Sequence, residues 1–124
     1  MAAHQASTAC SASAKAAAGR LCGRGPAAAV ITLGRRGCLV VDASAGDSRP
    51  VHLPGHEVTA VDTVAAGDVF NGCLAVALAE GRPLADAAAF ANAAAAIAVT
   101  REGAQTSAPI RTEIDALLAA TKRR

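Results

Sequence analysis

From Ala28 onward, apolar positions change their spacing once, at Asp62. Before it they come in short runs. Ala28-Ala29-Val30-Ile31-Thr32-Leu33 is apolar and partly β-branched, the pattern of a strand covered on both faces, and Cys38-Leu39-Val40-Val41 reads as the next strand. Gly34-Arg35-Arg36-Gly37 between them is a turn, which makes the pair a hairpin. Residues 43–50 read as a surface loop by composition. Val51-His52-Leu53-Pro54 and Glu57-Val58-Thr59-Ala60-Val61 read as short edge-like strands, since Pro54 has no N–H to give to a ladder. After Asp62 the spacing becomes helical. Ala66 to Glu80 is one helix, closed by Gly81-Arg82-Pro83, and Leu84 to Val99 is another. Residues 100–109 form a loop carrying Gly103. Thr112 to Ala120 is a last helix, with Thr112 and Asp115 spaced as a capping box. Upstream, Ala9 to Cys22 predicts a further helix ended by Gly23 and Gly25. The elements are those of an α/β fold, but three or four strands are too few for a complete doubly wound sheet.

Composition narrows the function classes. With 124 residues, 52% hydrophobic and 18% charged, the chain is long enough for one small domain with a core. Alanine exceeds a quarter of all residues, which favours helices but buries little area per side chain. Phe70 and Phe90 are the only aromatics and the net charge is +2, so neither stacking platforms nor a basic face for nucleic acid is present. The basic tail, residues 121–124 with Lys122, Arg123 and Arg124, reads as solvation of a terminus. No apolar run has the length of a membrane span, and the first residues lack an apolar signal core. Cys10, Cys22, Cys38 and Cys73 show no CxxC spacing, which argues against zinc and for a reducing, cytoplasmic setting.

The chemistry concentrates in Asp62-Thr63-Val64-Ala65-Ala66-Gly67-Asp68-Val69-Phe70-Asn71-Gly72. Small residues form a tight turn into a helix whose free backbone N–H groups suit phosphate oxygens. Asp68, in the first helical turn, then stands beside a bound phosphate, where a carboxylate can orient and deprotonate a hydroxyl. The same residues also satisfy a plainer reading, an acidic side chain complementing a helix dipole, and spacing does not decide between them. Neither GxxxxGK[ST] nor GxGxxG occurs.

The segment from Asp62 to Gly72 resembles the C-terminal signature of the ribokinase (PfkB) family of carbohydrate kinases, DTxGAGD or DTxAAGD followed by an aromatic. The likeness extends over about residues 16–118, through VITLGRRG at Val30 to Gly37, the helix from Leu84 to Val99, and Thr100-Arg101-Glu102-Gly103-Ala104-Gln105. The resemblance implies the C-terminal part of a three-layer α/β/α ribokinase-like fold, here residues 16–120, with residues 1–15 a poorly ordered or remnant N-terminus. It implies transfer of phosphate from ATP, accompanied by Mg²⁺, to a sugar hydroxyl, and within the family the AAGD and FNG variants point to ribose. Asp68 would be the base on the sugar hydroxyl, and Ala65, Ala66 and Gly67 the anion hole. Thr32, Leu33, Gly34, Arg35, Arg36, Gly37 and Asn92 match positions around the nucleotide, with Gly67 and Asp68 at its phosphates. Asp62, Val64, Ala98, Arg101, Gly103 and Ser107 match the residues that hold a monovalent cation, K⁺, several of them through carbonyl oxygens. Without these neighbours in order, Thr32 to Gly37 is only a hairpin turn, Asn92 a helix-surface amide and Arg101 a helix cap.

The family's domain is considerably longer. Its N-terminal part supplies a glycine-rich sugar site, most of the sheet, and a lid that covers the sugar and often mediates homodimerisation. Two function classes therefore stay open. One is a sugar kinase of which these residues are the nucleotide half, binding ATP and a small sugar but no nucleic acid or membrane. The other is an inactive remnant that binds nucleotide weakly or pairs with a separate N-terminal piece. Either way, the expectation is that residues 1–124 by themselves are only marginally stable and phosphorylate no sugar.

Overall fold

The computed structural model describes residues 13–45 and 47–122. Cys10, the start of the first helix, Gly46, Arg123 and Arg124 lie outside the described residues. The chain divides into two compact units, Met1–Leu53 and Pro54–Arg124.

In the first unit, helix α1 (residues 13–22) precedes a three-stranded antiparallel meander of order β1-β2-β3, with β1 at Ala28–Thr32, β2 at Cys38–Asp42 and β3 at Asp47–Leu53. Side chains alternate along a strand, so Leu39 and Val41 share one face of β2. They are buried with Ala14 and Ala18 of α1, and Ile31, Leu33 and Cys22 pack around them. Cys38 and Val40 on the opposite face are buried as well. Burial pushes the Cys38 thiol up to about 11, which keeps it protonated and unreactive.

The hairpin forms as expected, but two details differ. β1 is only half-buried rather than covered on both faces, because it is an edge strand with a single neighbour. Residues 43–50 are not one loop: a 3-10 turn at Ala43–Ala45 leads into β3, which begins at Asp47. Register shifts by two residues between the pairs Val40↔Val51 and Asp42↔Asp47. Pro50 falls in that irregular stretch, where a missing N–H costs no ladder bond.

In the second unit, α2 (Ala66–Ala79), α3 (Leu84–Ala98) and α4 (Arg111–Lys122) pack around α3. Ala77, Ala87, Phe90, Ala93, Ala94 and Ile114 form the core, joined by Val69, Leu74, Ile97 and Leu117. Alanines on facing helices permit a close approach, and Phe90 and Ile114 are the large buried side chains of this core. Arg82 and Arg111 also cover the Phe90 ring, at 4.7 Å and 5.2 Å from its centre, and both engage Glu80.

The capping box at Thr112 and Asp115 is not observed. The helix begins one residue earlier, at Arg111, and the reaching carboxylate is Glu113, which accepts the Ile110 N–H at 2.9 Å. That is half a capping box, since Ile110 has no side-chain acceptor to return. Residues 57–61 are not a strand either. Their segment is held by α3 instead: Asn92 Nδ2, from the middle of the helix, donates to Pro54 O at 2.9 Å, and the N–H groups of Val61 and Asp62 both reach Val99 O just past its end.

Because Phe90 is the largest buried side chain of this helical core, Phe90→Ala should cost about 3–5 kcal/mol. Val76→Thr, on an exposed helix position, should stay within about 0.5 kcal/mol. Chemical denaturation of the two variants checks the contrast, and equal losses would contradict this assignment of the core.

Candidate functional site

The turn into α2 is built as the sequence requires. Ala65 is the residue before the helix, is buried, and caps it with no side chain. Its carbonyl accepts the first helical bond, from Val69 N–H at 2.9 Å, and the Ala66 N–H folds back on Thr63 O at 3.3 Å. That leaves the N–H groups of Gly67 and Asp68 without a protein acceptor among the described residues, at the positive end of the helix. Gly67 has open space where a side chain would be, so an incoming group can reach the backbone. Asp68 lies exposed on this first turn. Asp68 thus carries a free amide and an exposed carboxylate on one residue, next to the free amide of Gly67, whereas the N–H of Ala66, matched to the anion hole, is taken by Thr63 O.

A second cluster sits directly before the turn. Asp62 Oδ1 accepts the N–H of Val64 at 3.0 Å, and Oδ2 accepts the N–H of Gly103 at 3.1 Å. One carboxylate thus joins the residues before α2 to the loop after α3. Gly103 adopts φ +89°, and a Cβ there would stand 2.6 Å from Thr106 Oγ1, so only glycine fits without displacing the loop. The loop is held further by Arg101 N–H on Ala98 O, Thr100 Oγ1 on Ile97 O, and Ser107 Oγ on Ala104 O. Ser107 is buried within it.

All six residues matched to a monovalent-cation site therefore lie on two segments that the Asp62 carboxylate bridges. The donor set is oxygen, and among the described residues the carbonyls of Val64, Arg101 and Gly103 accept no hydrogen bond. Free carbonyls beside a carboxylate suit a large, weakly hydrated cation. Among the described residues, no three His, Cys, Asp or Glu side chains are grouped so that they could hold a metal ion.

The nucleotide-matching residues fall in both units. Thr32 to Gly37 form the β1–β2 turn, a short 3-10 segment at Gly34–Arg36 closed by Leu33 N–H on Gly37 O at 2.8 Å. His52 Nε2–H on β3 donates to Arg36 O at 2.7 Å and braces it. Asn92 is not a surface amide: it is buried on α3 and spends its Nδ2–H on Pro54.

The family model "pfkB family carbohydrate kinase" matches residues 2–111. The chain belongs to the pfkB family of carbohydrate kinases. It is 47% identical over 93 residues to the ribokinase of Bacillus subtilis, covering 75% of this chain and 30% of that protein. The ribokinase crystal structure from Thermotoga maritima superposes with a TM-score of 0.77 at 46% identity, covering 85% of this chain and 34% of that one. The Arabidopsis thaliana ribokinase complexed with ribose and ATP gives a TM-score of 0.66 at 32% identity, over 74% of this chain and 29% of that one. The chain thus spans about a third of the length of the kinases it matches, in a mixed α/β fold.

Two positioning side chains went unnoticed in the sequence. His52 carried no signal beyond its place in a strand. Glu113 did: a Glu three residues after Ile110, following Pro109, marks a helix start as well as Thr112 and Asp115 do.

The electrostatics of the cluster give a pH dependence. Hydrogen bonds from the N–H groups of Val64 and then Gly103 hold the Asp62 carboxyl below its ordinary 3.8. A group whose folded value is depressed contributes stability above its unfolded value and loses it as pH falls through the folded one. The contribution of Asp62 is therefore present at neutral pH and fades below about pH 4. Melting temperatures measured down to about pH 3 should fall less steeply for Asp62→Asn than for the wild type. Superimposable profiles would contradict the carboxylate bridge.

Proposed function

We propose that this chain is the nucleotide and phosphoryl-transfer part of a sugar kinase that moves the terminal phosphate of ATP to a hydroxyl of ribose. The observation that carries the reading is the turn into α2, where the amides of Gly67 and Asp68 and the exposed Asp68 carboxylate converge. The ribokinase likeness at 47% identity supports ribose as the sugar, and the relative complexed with ribose and ATP supports the substrate pair.

Asp68 acts as general base. Its carboxylate accepts the proton of the sugar hydroxyl as that oxygen attacks the terminal phosphorus, and the bond to the ADP oxygen breaks. The charge that leaves the carboxylate's side develops on the phosphoryl oxygens and on ADP. The backbone N–H groups of Gly67 and Asp68, which have no protein acceptor among the described residues, and the end of the α2 dipole stabilise it there without reorganising. Mg²⁺ enters with ATP, held chiefly by phosphate oxygens and water. Thr32 to Gly37 and Asn92 serve the nucleotide. Asp62, Val64, Ala98, Arg101, Gly103 and Ser107 serve a potassium ion, which would supply a fixed positive charge next to the anion turn without touching the sugar.

The test is a chimera in which the N-terminal portion of the Thermotoga ribokinase precedes this chain. Asp68→Asn should lower ribose-dependent ADP release about 10²–10⁴-fold while ATP affinity changes little. A variant with near wild-type turnover overturns the role of Asp68, and a wild-type chimera that binds ATP without ribose-dependent turnover overturns the reaction.

A further inference from the structure

The loop after α3 is held at two points only two residues apart. At one end, Gly103 N–H is bound by Asp62 Oδ2. At the other, the Arg101 guanidinium donates from Nη2 to Glu113 Oε1 at 2.6 Å. Glu113 is itself fixed, because its Oε2 accepts the Ile110 N–H at the start of α4. Its two oxygens thus connect the loop to a helix end, and both bonds hold its carboxyl below the ordinary 4.5, the Arg101 bond foremost. The Arg101 carbonyl lies between the two anchors and the Gly103 carbonyl follows directly on the second, and neither accepts a hydrogen bond among the described residues. A carbonyl aimed at an ion must be kept from rotating, and groups behind the ligands usually do this.

We propose that Glu113 is a positioning residue for the monovalent-cation site: through Arg101 it fixes the orientation of the Arg101 and Gly103 carbonyls and so sets cation affinity without touching the ion. The inference rests on the potassium reading above and adds to it a residue outside the matched set. Glu113 lies beyond the segment matched by the family model, on a different element from every residue matched to the cation. The pair is about one-third exposed on each side, which limits its strength.

The experiment compares the 124-residue chain with Glu113→Gln and Glu113→Asp. Each is melted in graded KCl against tetramethylammonium chloride at constant total salt. Potassium should raise the wild-type melting temperature. Glu113→Gln keeps an acceptor for Ile110 but loses the charged partner of Arg101, and should need about three- to fivefold more potassium for half the effect. Glu113→Asp, whose shorter arm cannot reach both partners, should shift the half-effect concentration the same way by a smaller factor. It carries the test if the Gln variant does not fold. Equal destabilisation in both salts with an unchanged potassium midpoint shows a purely structural brace and overturns the proposal. A wild type indifferent to potassium overturns the cation reading itself, and the role of Glu113 with it.

Discussion

One carboxylate determines how the second unit is put together at its working end. Asp62 bonds the Val64 N–H with one oxygen and the Gly103 N–H with the other, across 41 residues of sequence. The first bond shapes the approach to the turn that opens α2. The second holds the loop that follows α3. The amides of Val61 and Asp62 reinforce the junction by meeting at Val99 O, the carbonyl just past the end of α3.

The helices answer a packing demand that follows from this. Two helix ends and two loops must come close enough for backbone amides to reach one side chain. Alanine and glycine allow the approach, at the expense of buried area per residue. The core therefore depends on a few larger groups, Phe90 and Ile114 above all, with the alanines of α3 as spacers. Polar contacts make up part of the difference. Glu80, Arg82 and Arg111 form a cluster over the Phe90 ring, and Glu113 ties α4 to the loop. Val58, Val61, Val64 and Ile110 remain exposed.

Local chemistry made much of this legible in advance. The helix limits at Ala66 and Leu84 followed from the small-residue turn and from Pro83, whose fixed φ suits the position before a helix. The β1–β2 hairpin followed from two glycines around two arginines. What stayed hidden depended on contacts distant in sequence. Residues 57–61 have strand-like composition, yet the Val61 amide is taken by the carbonyl just past the end of α3, which no local pattern announces. Asn92 reads as a surface amide until Pro54 is placed beside it. The signature around Asp68 was legible as a motif, but its junction with Gly103 was not, because spacing carries no information about which loop a carboxylate will meet.

The central claim is that the amides at the start of α2 receive a phosphate group of the nucleotide. Titrating isotopically labelled protein with Mg·ATP in potassium buffer, while following backbone amide resonances, tests it most directly. The account predicts that the Gly67 and Asp68 signals move most within the second unit and saturate together, with smaller movement at Gly103. Saturable binding that leaves the Gly67 and Asp68 amides unmoved would contradict it.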